Sequence, residues 1–178
     1  MSFYQDLARI GSRYIGKAKL FQYGFNFSPM YRRTTSRITS VTDDLLEIRI
    51  KLPISFRNRN YVNSIFGGSM FAAVDPIPMV QLMNILGDDY VVWDKSAEVF
   101  FKRPAREDLY ATFTYTEAEV DEIRRRITQE KEFDIVKTSL LTDRDGSTTF
   151  CEVRKTIYVA DKQYYKEKRK KKAAKKTP

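Results

Sequence analysis

Asp75 is the residue best placed to do chemistry, because it stands alone in an apolar stretch. Met70, Phe71, Ala72, Ala73 and Val74 precede it, and Ile77, Met79, Val80 and Leu82 follow. A carboxylate there is costly unless it is paired or put to use. Eight residues upstream lies the pair Gly67-Gly68. At the start of a helix such a pair presents bare backbone N–H groups, with the positive end of the helix dipole behind them. Glycine also lets a reacting group come close. At the rise of an α-helix, eight residues span about 12 Å. One carbonyl cannot touch both Gly67 and Asp75 of one chain, so a site using both must be shared between two copies. Each feature has a plainer reading. Asp75-Pro76 is also an N-cap followed by proline at the first helical position, which would cap the second half of a broken helix. The glycine pair also suits tight packing of helix on sheet.

The absent residue types narrow the chemistry further. The 178 residues include no histidine, which removes imidazole acid–base catalysis, the histidine-dependent triads and every zinc site that needs an imidazole. Cys151 is the one cysteine, so no intramolecular disulfide forms. It falls in a strand with no base to activate it and reads as a small core residue. No metal or redox cofactor is implied. Hydrophobic residues make up 42% and charged residues 31%, the balance of a soluble globular domain. The net charge of +9 is unevenly placed. Lys162 to Pro178 hold nine cations against Glu167 alone, which leaves the body nearly neutral. Such a tail reads as solvated and disordered, with a weak anionic partner as the functional alternative.

The elements that must position Asp75 follow from periodicity. Residues 4 to about 32 read as a helix and an aromatic stretch, Phe21 to Phe27, packed on the body. Arg37 to Thr42 and Leu46 to Leu52 alternate with period two and read as two strands. The segment from Met70 to Leu86 is apolar all round, which predicts a helix buried on all sides, ended by Gly87. It is too short and broken to span a bilayer. Strands follow at Ala97–Lys102, Leu109–Tyr115, Phe133–Leu141 and Thr149–Val159, the last two joined at Asp145-Gly146. Thr116-x-x-Glu119 starts a short helix as a capping box. One buried helix inside an antiparallel sheet is an α+β arrangement with few common solutions.

Two motifs give that arrangement a family likeness. Asn60, Phe66-Gly67-Gly68 and Asp75 keep the spacing of the signature of hotdog-fold acyl-CoA thioesterases of the phenylacetate-pathway type. Arg103-Pro104-Ala105-Arg106 resembles their strand-ending motif. With Val92-Trp93-Asp94-Lys95, the pattern resembles most a thioesterase-like branch still described as a domain of unknown function. The resemblance covers roughly residues 20 to 160. It implies an antiparallel sheet wrapped around one long buried helix, with an N-terminal helix. It implies Asp75 as general base or nucleophile on a thioester, the Gly67 N–H (with Gly68 beside it) as oxyanion donor, and Asn60 as orienter of water or carboxylate. Arg103 and Arg106 would meet CoA phosphates. Phe66 stands where the family has histidine, and Asn63 where glycine is common. Asp94 and Lys95 fall near a further polar position of the family's site. The plainer readings are a loop cap for Asn60, a solvated strand end for the arginines and a surface ion pair for Asp94-Lys95.

The resulting expectation is a hydrolase of acyl-CoA or related thioesters, built as a homodimer or dimer of dimers, with CoA present only as part of the substrate. The alternative is a non-catalytic hotdog protein that binds an acyl chain or serves as a dimeric scaffold. The expected division is an N-terminal helical segment at 1–34, a hotdog domain at 35–160 and a Lys-rich tail at 161–178. Asp6, Arg9 and Arg13 interrupt any signal-peptide core, and the expected location is the cytoplasm.

Overall fold

A computed structural model describes residues 16–174. The chain begins with α1 (Lys17–Phe27) and one turn of helix, α2 (Pro29–Arg32); the part of the expected first helix before Gly16 lies outside the described residues. Two strands follow, β1 (Arg37–Val41) and β2 (Glu47–Leu52). The central helix comes in two pieces, α3 (Gly67–Val74) and α4 (Ile77–Leu86). Then come β3 (Tyr90–Phe101), β4 (Leu109–Thr114), α5 (Glu117–Glu130), β5 (Glu132–Thr142), β6 (Thr149–Asp161) and α6 (Lys162–Ala174).

The six strands form one antiparallel sheet in the order β1-β2-β4-β5-β6-β3. Alternation decides which face is inward. Ile48, Ile50 and Leu52 of β2 are buried, as are Leu109, Ala111 and Phe113 of β4. On β6 the inward row is Cys151, Val153, Lys155, Ile157 and Val159. Burial of such side chains stabilises by about 25 cal/mol for each Å² of apolar surface removed from water.

Elements at both edges are fixed by specific side chains. Asn26 of α1 accepts from the Ile38 N–H at 2.8 Å and donates to the Ile38 carbonyl at 2.9 Å. A helix thus satisfies the outer side of edge strand β1. Phe21 stacks on Phe25, which meets Tyr31 edge-on, and the Tyr31 hydroxyl donates to the Ala73 carbonyl. Tyr23 and Phe27 of the same aromatic stretch face outward. At the opposite edge, Trp93 stacks on Tyr158 and takes Tyr165 edge-on. These contacts and the Glu132–Lys168 pair hold the start of α6. The segment expected to be a disordered tail is therefore helical as far as Ala174. Clamping its first turns supplies the nucleus a short helix lacks by itself.

The helix Gly67–Leu86 is the one described stretch long and apolar enough to cross a membrane, and it lies against the sheet as the core helix. Its inner side carries Met70, Ala73, Val74, Ile77, Leu82 and Leu86. Phe71, Ala72, Met79 and Val80 are half-buried and Met83 is exposed. The apolar circumference thus meets the sheet on one side and stays partly open on the other.

Candidate functional site

The helix breaks at Asp75-Pro76, where proline lacks the N–H an unbroken helix would use. Asp75 caps neither half through its side chain. Its Oδ1 accepts a hydrogen bond from Lys155 Nζ at 2.7 Å, and its carbonyl accepts another from the same ammonium at 2.6 Å. The third proton of Lys155 goes to Asp94 Oδ2 at 2.5 Å. All three donors of the lysine are therefore used, and its side chain is only 2% exposed. Two carboxylates share one buried cation. Asp75 remains open to solvent at 41% of its side chain, and its Oδ2 has no hydrogen-bond partner among the described residues.

The sheet brings Asp94 there through a bulge. The β3–β6 register slips between Asp94 and Ser96. Before the slip the even residues Val92 and Asp94 share the inward face of β6; after it the odd residues Ala97, Val99 and Phe101 do. A bulge re-aims side chains in this way. Asp94 and Lys95 consequently part company. Asp94 goes inward to Lys155, while Lys95 pairs with Asp134 on the outer surface. Burial raises the Asp94 carboxyl above its ordinary pKa, and the Lys155 ammonium acts against that rise.

Lys155 lies outside the motifs, yet the sequence carries a signal for it. Period two from Cys151 through Val153 to Ile157 and Val159 puts a lysine on an inward face. A cation there needs a buried anion.

Gly67 and Gly68 open α3, and the N-cap position is Phe66. A Cβ on Gly67 would stand 2.9 Å from the Phe101 ring, and one on Gly68 would stand 2.3 Å from the Phe66 ring. Both rings are exposed, so the two glycines lie beneath an apolar, aromatic mouth. Asn60 is occupied nearby. Its Oδ1 accepts from the Val62 and Ser64 N–H groups, and its Nδ2 donates to Ser64 Oγ. It shapes the loop that leads into the glycines. Asn63 has φ 60°, a left-handed conformation that asparagine tolerates better than most residues, which explains asparagine where glycine is common.

Arg103 and Arg106 are exposed and sit in the β3–β4 loop. That loop is tied to the mouth, because the Ile65 N–H donates to the Ala105 carbonyl at 2.8 Å. The structure therefore gathers two groups. Asp75, Asp94 and Lys155 form one; Phe66, Gly67 and Gly68, with the arginine loop, form the other. Asn60 and Asn63 support the second group, and Lys95 joins neither. Cys151 is buried, and burial pushes its thiol up to about 11, which keeps it an inert thiol at neutral pH. Among the described residues no three His, Cys, Asp or Glu side chains converge as a metal site would require.

Comparison with known proteins agrees with this architecture. A protein of unknown function from Pseudomonas aeruginosa, PA5026, described as a probable thioesterase, superposes with a TM-score of 0.70 at 16% identity, covering 80% of this chain and 95% of that one. Thioesterase HI1161 from Haemophilus influenzae gives 0.59 at 14% identity, covering 81% and 90%. Zebrafish thioesterase superfamily member 2 gives 0.54 at 13%, covering 79% and 94%. At such identities the likeness is one of fold, the hotdog fold. No curated protein matches the sequence. A family model does match, over residues 17–159, from the first helix to the strand that carries Lys155, and the chain therefore belongs to the family described as a domain of unknown function, DUF4442.

Proposed function

We propose that this protein hydrolyses acyl-CoA or a related thioester at a site completed by a second copy of the chain. The observation that carries the reading is Asp75. One of its carboxylate oxygens is clamped by Lys155 while the other is left without a partner. A carboxylate oriented in this way is a ready general base for water.

In the proposed reaction Asp75 takes a proton from water and the oxygen bonds to the thioester carbonyl carbon. The carbonyl oxygen becomes negative and is held by the N–H groups of a Gly67-Gly68 pair. The C–S bond then breaks, and the thiolate leaves and recovers the proton. Because the pair and Asp75 of one chain are separated along the helix by about 12 Å, the glycines come from a second copy. Strand β3 is the free edge of the sheet, twelve residues long, with Trp93, Phe100 and Phe101 exposed. A long edge of that kind invites pairing with another chain. Arg103 and Arg106, exposed beside the mouth, suit the phosphates of CoA.

Thiol release from short, long and aromatic acyl-CoAs tests the proposal, using the wild type and Asp75→Asn with folding checked for both. The wild type is expected to turn over at least one substrate, and the variant to lose 100-fold or more, about the contribution of a positioned general base. A folded wild type that leaves every thioester intact would transfer the assignment to an acyl-binding protein.

A further inference from the structure

The sheet contains a seam. Along β2–β4 and β5–β6 the ladders run for most of each strand, but β4 and β5 share only the pair Tyr110↔Thr142. Beyond it lies a cavity of about 50 Å³ bounded by Thr112–Tyr115 on one side and Lys137–Ser139 on the other. Gln81 of the core helix closes its inner end. This glutamine is fully buried. Its Nε2 donates to the Leu45 carbonyl at 2.8 Å and the Phe113 carbonyl at 3.4 Å. Turning the amide over would set its oxygen against those two carbonyls, so the orientation is fixed. Among the described residues no donor reaches Gln81 Oε1.

A second buried oxygen shares that condition. Among the described residues, Gln81 Oε1 and Asp94 Oδ1 are the two buried side-chain atoms without a protein partner. Both accept, so both call for a ligand that donates. A run of neighbouring residues connects them, from Gln81 and Tyr115 at the cavity through Lys137 and Lys155 to Asp94. Lys137, at the seam, stands directly across from Lys155 in the β5–β6 register. The Lys137 ammonium lies 4.3 Å from the centre of the Tyr115 ring. Tyr115 bounds the cavity and is near enough for the Asp94 charge to help raise its pKa, after burial and Glu119.

We infer that the seam is a water port, in which water held at Gln81 Oε1 passes beneath Tyr115 and Lys137 to Asp94 Oδ1 and so to the carboxylate pair. Water is the ligand of the right size, since one molecule takes about 30 Å³ of liquid volume and needs two to four polar partners. Gln81 Oε1, Ser139 Oγ and the unladdered peptide groups of β4 and β5 supply them. A second entrance has a purpose under the thioesterase reading, on which this inference rests. A bound acyl thioester would seal the aromatic mouth against water, while the reaction consumes one water per turnover.

A crystal structure at high resolution and steady-state kinetics together test the port. Two variants are used, Gln81→Met, which removes the acceptor at similar volume, and Ser139→Val, which fills the cavity; if one fails to fold, the other carries the test. The expected result is a water within hydrogen-bond distance of Gln81 Oε1 and another at Asp94 Oδ1 in the wild type. The folded variant should lose the first water and about tenfold in kcat, with KM unchanged. A dry seam, or a variant that loses the water and keeps its kcat, overturns the port and leaves the thioesterase assignment standing. If no thioester is cleaved, that assignment falls and the crystal structure decides the port alone: both waters present support a water path, and either one absent overturns it.

Discussion

At the residue scale the molecule turns on one lysine. Lys155 neutralises only one of two carboxylates, and its three hydrogen bonds are what make that arrangement tolerable in a nearly dry position. Removing one member of a buried charged cluster is costly because the others remain behind. Lys155→Met is therefore expected to destabilise by about 3–5 kcal/mol, read as a lower denaturation midpoint in urea. The pH dependence has a definite sign. A carboxyl whose folded pKa is raised, as burial raises that of Asp94, binds its proton more tightly in the folded chain than in the unfolded one. Stability from this group falls as pH rises from the unfolded pKa through the folded one. Asp94→Asn should flatten that fall, so the variant gains on the wild type above the transition; a parallel pair of stability–pH curves would refute it.

At the element scale, two irregularities aim the site and one regular device holds a surface helix. The Asp75-Pro76 break turns a carbonyl as well as a carboxylate toward Lys155, and the bulge at Asp94–Ser96 turns Asp94 inward. Helix α5 is regular by contrast. Thr116 accepts from the Glu119 N–H at 3.1 Å, Glu119 accepts from the Thr116 N–H at 2.8 Å, and Val120, Ile123 and Ile127 are buried. Thr116→Ala should cost about 1 kcal/mol, measured by thermal or urea unfolding. The change leaves the Asp75–Lys155–Asp94 cluster intact, so any activity is expected to survive it.

For the whole molecule, the open side of the core helix and the free edge of β3 are unfinished surfaces. Phe71, Met79, Val80 and Met83 line the first, and Phe100 and Phe101 end the second. Both are satisfied if two copies pair. Sedimentation equilibrium is expected to give twice the mass of the chain, or a multiple of that dimer. A single-chain mass would leave Asp75 without a glycine pair and sink the shared site. Past the clamp of Trp93, Tyr158 and Tyr165, α6 carries Arg169 to Lys172 with no carboxylate partner among the described residues.

Much of this was legible from the sequence. The period-two strands, the capping box at Thr116, the turn at Asp145-Gly146 and the apolar segment after Gly67-Gly68 follow from local rules, because each depends on residues close in the chain. The hotdog fold followed from their order and from the motif spacing. What local pattern could not decide was contact between distant residues. Asp75 and Lys155 lie eighty positions apart, so the sequence shows a lone carboxylate and a lone inward lysine but not their meeting. Asp94 and Lys95 are adjacent and look like a pair, yet strand geometry sends neighbours to opposite faces. The β4–β5 seam is equally hidden, since both strands alternate normally and only the tertiary structure sets how far their ladder closes. Sequence determined the elements and the residue types at the site; the three-dimensional fold decided which charges share a proton donor and where water has room to enter.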